Sequence, residues 1–176
     1  MIYEILASGN TSLASRKKVR ETIREQPNLI ATLLGFTFDS TSKVNVIASI
    51  ILDDLVQINP SLLKEYLVVF IEKLPKVTNE SVKRLTSKMA VLLLEEYADL
   101  LTRQQEEQLI NQSLLWLTTE TKVATEANAM QIILLLHKKF PTQVKLIAEL
   151  IEVRFPEKTP AYQSKARKLL KVTGDR

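Results

Sequence analysis

Two pairs of adjacent carboxylates, Asp53-Asp54 and Glu95-Glu96, come closer to a reactive centre than any other residues of this sequence. Clustered acids can bind divalent cations, or serve together as a general acid and a general base. The pairs lie 42 residues apart, near the ends of two successive amphipathic segments, so stacking those segments would bring them onto one edge. Adjacent positions on a helix point about 100° apart, however, and neither pair can converge on a single ion. Negative charge near a helix C-terminus is also mildly unfavourable. Solvated faces or ion pairs with a neighbouring segment are therefore the expected roles of these acids, and an acidic binding edge is the alternative.

Other reactive combinations are sparse. Cysteine is absent and there are three glycines, which removes thiol nucleophiles, zinc ribbons, disulfide frameworks and a Gly-rich phosphate loop. The single histidine, His137, falls in the last turn of a segment beside Lys138 and Lys139, where positive charge suits the helix dipole. No carboxylate lies three or four residues away to orient it, so a structural role is expected. Trp116 lies at the end of an apolar segment containing Leu109, Ile110, Leu114 and Leu115 and reads as a core or edge-of-groove residue, with base stacking as the minority role. No residue is assigned to catalysis, to a cofactor or to a metal, and no cofactor is expected.

The net charge of +4 and the pI near 9.2 would suit a nucleic-acid binder if the charge were spread along a groove. It is not spread. Residues 1–156 hold 18 Lys and Arg against 18 Asp and Glu, and residues 157–176 hold six against two. Lys165, Arg167, Lys168 and Lys171 make this terminal segment a candidate anion or nucleic-acid contact. A second basic cluster, Arg16, Lys17, Lys18, Arg20 and Arg24, lies near the other end of the chain.

The elements that carry these residues follow from proline and from apolar periodicity. All six prolines, at 27, 60, 75, 141, 156 and 160, fall between apolar-periodic segments, where helices begin or have just ended. Aligning Pro60 with Pro141 matches PSLLKEYLVVFIEKLP to PTQVKLIAELIEVRFP, with Lys64 over Lys145 and Lys73 over Arg154. Between them, Thr102-Arg-Gln-Gln105 is a capping box and predicts a third helix of this kind. Pro27 opens a shorter one, PNLIATLLGF.

A helix with a 3.6-residue apolar stripe precedes each later member of the series. Val44, Ile47, Ala48, Ile51, Leu55 and Ile58 form one stripe. Val82, Leu85, Met89, Leu92, Leu93 and Tyr97 form the next, and Val123, Ala127, Met130 and Leu134 the third. Expected N-caps are Asp39 or Ser40, Asn59, Thr78 or Asn79, Thr102, Thr119 and Thr159. The chain is thus expected to be one all-α domain over 1–176, with helix pairs at about 12–37, 40–75, 79–117 and 120–156. A terminal helix at 160–172 would cap it through Tyr162, Ala166, Leu169 and Leu170.

The starts Val44, Val82 and Val123 are 38 and 41 residues apart, a spacing that resembles the two-helix period of HEAT and armadillo repeats. Residues 122–136, KVATEANAMQIILLL, followed by 155–170, FPEKTPAYQSKARKLL, look like the C-terminal signature of small uncharacterised bacterial HEAT-like proteins. The resemblance covers roughly residues 40–172. It implies a short right-handed α-α superhelix of about four helix pairs and a capping helix. Members of that group sometimes carry the name adenylosuccinate lyase, a chemistry that needs catalytic His and Ser residues and a Gly/Ser-rich mobile loop. One histidine and scattered Gly9, Gly35 and Gly174 oppose that name here.

The expected function is a non-enzymatic interaction module that holds a protein or peptide on the surface of its second helices. Nucleic-acid binding through the basic terminal helix is the alternative. HEAT-like DNA-repair glycosylases line their groove with positive charge and aromatics, whereas the second helices here mix Lys64 and Lys73 with Glu65 and Glu72, and Arg103 with Glu106 and Glu107. The opening residues have no basic region and place Glu4 among apolar neighbours, unlike a secretory signal. No apolar run approaches the roughly 20 residues of a membrane span. A cytoplasmic location without membrane contact is therefore expected.

Overall fold

The computed structural model describes residues 2–174, and among these every regular element is helical. The helices are α1 (Ile2–Ser8), α2 (Leu13–Glu25), α3 (Leu29–Phe38), α4 (Asn45–Ile58), α5 (Leu67–Lys73), α6 (Glu80–Tyr97), α7 (Arg103–Thr118), α8 (Val123–Leu136), α9 (Pro141–Arg154) and α10 (Pro160–Thr173). Short 3₁₀ turns cover Pro60–Tyr66, Leu74–Lys76, Ala98–Leu100 and Phe155–Glu157. The chain divides between Leu93 and Leu94, inside α6, into two compact units. No single helix among the described residues is long and apolar enough to cross a membrane.

In the first unit α4 is the central element, with α2 and α3 packed against it. Ile51, Leu52 and Leu55 of α4 are buried together with Ile23 of α2 and Leu33 of α3, and the Phe38 and Phe70 rings meet edge to face at 5.4 Å. The chain bends by 112° at Asn59 between α4 and the segment that follows. Asn59 Oδ1 accepts from the Ser61 amide (3.2 Å) and from the Ser61 hydroxyl (2.6 Å), and the Leu62 amide bonds back to the Asn59 carbonyl. These tight bonds start a 3₁₀ segment, so the helix expected to run unbroken from Pro60 to Pro75 is α-helical only over α5. It returns to 3₁₀ geometry at Pro75, which has no N–H to continue the α pattern.

In the second unit α8 occupies the corresponding central position, packed between α7 and α10. Trp116, Phe140 and Tyr162 are its largest fully buried side chains, with Ile132, Ile133, Ile151 and Leu169 around them. The expected phase of α8 needs correction. Of the expected stripe only Met130 is buried, Val123, Ala127 and Leu134 being half-buried, while Thr125, Glu126, Ala129, Met130, Ile133 and Leu136 face inward. Helix α8 is apolar on nearly every side past Ala127, so periodicity alone leaves its rotation open.

Caps show where local chemistry decides an end. Thr102 accepts from the Gln105 amide at 3.3 Å while Gln105 Oε1 accepts from the Thr102 amide at 2.9 Å, closing the capping box at the start of α7. Asn79 receives the amides of Ser81 and Val82, and Thr159 that of Tyr162. Asp39 and Thr119 instead sit at the C-terminal ends of α3 and α7. Asp39 turns its carboxylate to the Thr41 hydroxyl and amide, which hold its pKa below the ordinary value. Helices α4 and α8 start without a side-chain cap, at Val44 and Lys122.

Candidate functional site

Asp53 and Asp54 lie in the third turn of α4 and point to opposite neighbours. Asp54 Oδ2 meets Arg16 Nε at 3.0 Å and Arg20 Nη1 at 2.8 Å, both from α2. Asp53 Oδ2 meets Lys88 Nζ of α6 at 2.9 Å, and its Oδ1 accepts from Gln57 at 3.2 Å. The angle of about 100° that stops adjacent residues from sharing an ion lets this pair join two flanking helices. Glu95 and Glu96 are exposed near the end of α6. Among the described residues no group of three or more His, Cys, Asp or Glu side chains is placed to hold a metal ion.

The same construction recurs in the second unit, where Glu106, expected on the open surface of a second helix, is buried instead. Buried Glu106 of α7 receives Lys139 Nζ at 2.5 Å, and buried Glu126 of α8 receives Lys158 Nζ at 2.5 Å. Lys165 of α10 donates to Gln131 of α8 at 2.7 Å, and Arg154 donates to the Leu117 carbonyl. Across both units, these hydrogen bonds join residues 32 to 37 apart in sequence, four of them from one helix to another and two from the connections that hold Lys139 and Lys158. Glu126 carried one usable signal, since it shares a helical face with Ala129, Met130 and Ile133. Glu106 offered less, because it sits beside Glu107 in a polar first turn.

The four cations of α10 separate by role. Lys165 is half-buried against Gln131. Its pKa is lowered first by burial and then by Lys168, with Glu95 opposing. Arg167 lies over the Phe155 ring at 5.4 Å, while Lys168 and Lys171 are exposed. Arg167, Lys168 and Lys171 share an arc of about 100° on the helix. On one side of this arc is a groove of about 310 Å³ whose lining includes Phe155, Arg167, Leu170 and Lys171, with Glu152 as its one carboxylate. On the other a groove of about 320 Å³ takes His137, Lys138 and Lys145 over a floor of Pro141, Val144 and Val172. The His137 Nδ1 is 2.7 Å from the Leu134 carbonyl, so that nitrogen carries the proton and the ring is held to its own helix.

The outward faces of the second helices have a different character. Along α7 the exposed ridge reads Arg103, Gln104, Glu107, Gln108, Asn111, Leu114, Leu115 and Thr118, polar and charged groups followed by leucines. On α9 Leu146 is 62% and Val153 79% exposed, and in the first unit Val68 and Val69 of α5 are exposed as well. Trp116 points the other way, fully buried. No family model, no curated protein and no solved structure matches the chain.

Proposed function

We propose that this chain is a non-enzymatic helical-repeat module that binds a protein or peptide through the exposed faces of α7 and α9. The observation that carries the reading is the exposure of Leu114, Leu115, Leu146 and Val153 on those two helices. Exposed aliphatic side chains set among amides and charges of both signs, Arg103 and Glu107 on α7 and Lys145, Glu149 and Glu152 on α9, suit a protein surface better than a phosphate backbone. The recurrent span of 32 to 37 residues in these long-range hydrogen bonds supports stacking of successive helix pairs as a right-handed α-α superhelix of the HEAT or armadillo kind. In this reading the acids of α4 join layers, the protein is cytoplasmic, and no cofactor takes part. The test is capture of a stoichiometric partner by the wild-type chain compared with a Leu146→Asp, Val153→Asp variant of unchanged helicity. Loss of the partner in the variant is expected, and equal capture by both refutes the assignment of this face.

A second reading rests on Arg167, Lys168 and Lys171, which are exposed and have no carboxylate in ion-pair contact among the described residues. They could neutralise nucleic-acid phosphates. With Lys165 engaged at Gln131, three cations remain, and log affinity should fall against log salt with a slope of about −3.

A further inference from the structure

We propose that the first unit carries a binding pocket for a small anionic amphiphile, an organic carboxylate with a compact apolar body of the medium-chain fatty-acid type. The pocket, about 360 Å³, lies where the end of α2 and the start of α3 meet the end of α4. Ligand pockets start at roughly this size. Buried Ile23, Ile30 and Leu55 form its floor, with half-buried Leu62 beside them, and exposed Pro27 and Ile58 belong to its rim. Ile58 is 68% exposed, an expensive position for a large aliphatic side chain that a seated apolar ligand would cover.

The polar inventory selects the charge of the occupant. Only Arg24 and Asn59 bring polar side-chain groups to the lining, and no carboxylate or hydroxyl joins them. Asn59 Oδ1 already accepts from the Ser61 amide and hydroxyl, so the group it has left is its NH₂. Arg24 forms no ion pair among the described residues, whereas Arg16 and Arg20 on the same helix are both held by Asp54. The pocket therefore presents two donor groups and an aliphatic floor. That set of side chains is complementary to an anionic head on an apolar body.

Methyl NMR of the full chain, titrated with decanoate below its micelle concentration, tests the proposal. Saturable shifts are expected at the Ile23, Ile30 and Ile58 methyls. Decyltrimethylammonium, of equal chain length and opposite charge, should bind at least about tenfold more weakly, and Arg24→Gln should weaken decanoate by a similar factor. Arg24 is exposed and forms no ion pair among the described residues, so the variant should keep the wild-type thermal transition. Three results would overturn the proposal: no saturable shift, equal binding of the two detergents, or shifts spread over methyls of both units. Unchanged decanoate affinity in folded Arg24→Gln would do the same.

Discussion

The carboxylates of this protein differ in worth according to what would be left behind if their partner were removed. Lys158→Ala strands Glu126, whose side chain is 3% exposed, and should destabilise the chain by about 3 kcal/mol in urea unfolding. Replacing both partners with apolar residues of similar size, Lys158→Met with Glu126→Leu, should recover most of that loss. Lys17→Ala breaks an exposed pair whose Nζ and Oε1 are 3.9 Å apart, and should cost about 0.5 kcal/mol or less. Tyr162 makes a separate case. Its buried hydroxyl has no hydrogen-bond partner among the described residues, and burial raises the phenol pKa above its ordinary 10.0, with Glu126 adding and Arg154 opposing. The folded state holds this proton more tightly than the unfolded chain does. The associated stability is complete below pH 10.0 and is lost as pH rises through the folded value. Tyr162→Phe should flatten that alkaline decline in thermal melts, and at neutral pH leave stability unchanged or higher by about 1 kcal/mol. Sequence reasoning left Asp53 and Asp54 between solvated faces and ion pairs, and the structure gives both of them ion pairs. That reasoning could not give the cation that meets Glu106 or Glu126, nor the burial of the Tyr162 hydroxyl, since which cation comes near a given acid is settled by packing between elements.

For the helices themselves, the legible features are those written within a few residues. Thr102 and Gln105 cap α7 as their spacing requires, and Thr102→Ala should cost about 1 kcal/mol. Gly35 lies on the exposed face of α3 with nothing within 4 Å of where a Cβ would stand, and its φ is negative. Gly35→Ala should therefore stabilise the chain by about 0.5–1 kcal/mol, read as a rise in midpoint with unchanged denaturant slope. Two features escaped local reading for different reasons. The rotation of α8 depends on its neighbours because Ile132, Ile133, Leu134, Leu135 and Leu136 leave little contrast between faces. The 3₁₀ start after Pro60 depends on Asn59, since α9 begins at an equivalent proline behind Phe140 and is α-helical from its first residue.

On the scale of the molecule, the excess positive charge belongs to α10, and a charge experiment must respect the packing of that helix. Tyr162, Ala166 and Leu169 are buried, so deleting residues 157–176 would open the core and confuse binding with folding. Arg167→Glu, Lys168→Glu and Lys171→Glu together reverse the exposed arc and keep the buried face. If nucleic acid binds there, anisotropy at low salt should lose the signal in the triple variant. Retained binding removes that reading.

Trp116 has an optical consequence. It is the only tryptophan in the sequence and it is fully buried on α7, in the second unit, next in sequence to exposed Leu115. Emission excited beyond the tyrosine band therefore comes from one place in the protein. A partner seated on the α7 ridge should alter its colour or lifetime, and an amphiphile in the pocket of the first unit should leave it unchanged. A single cuvette thus separates the two proposed occupancies without a label.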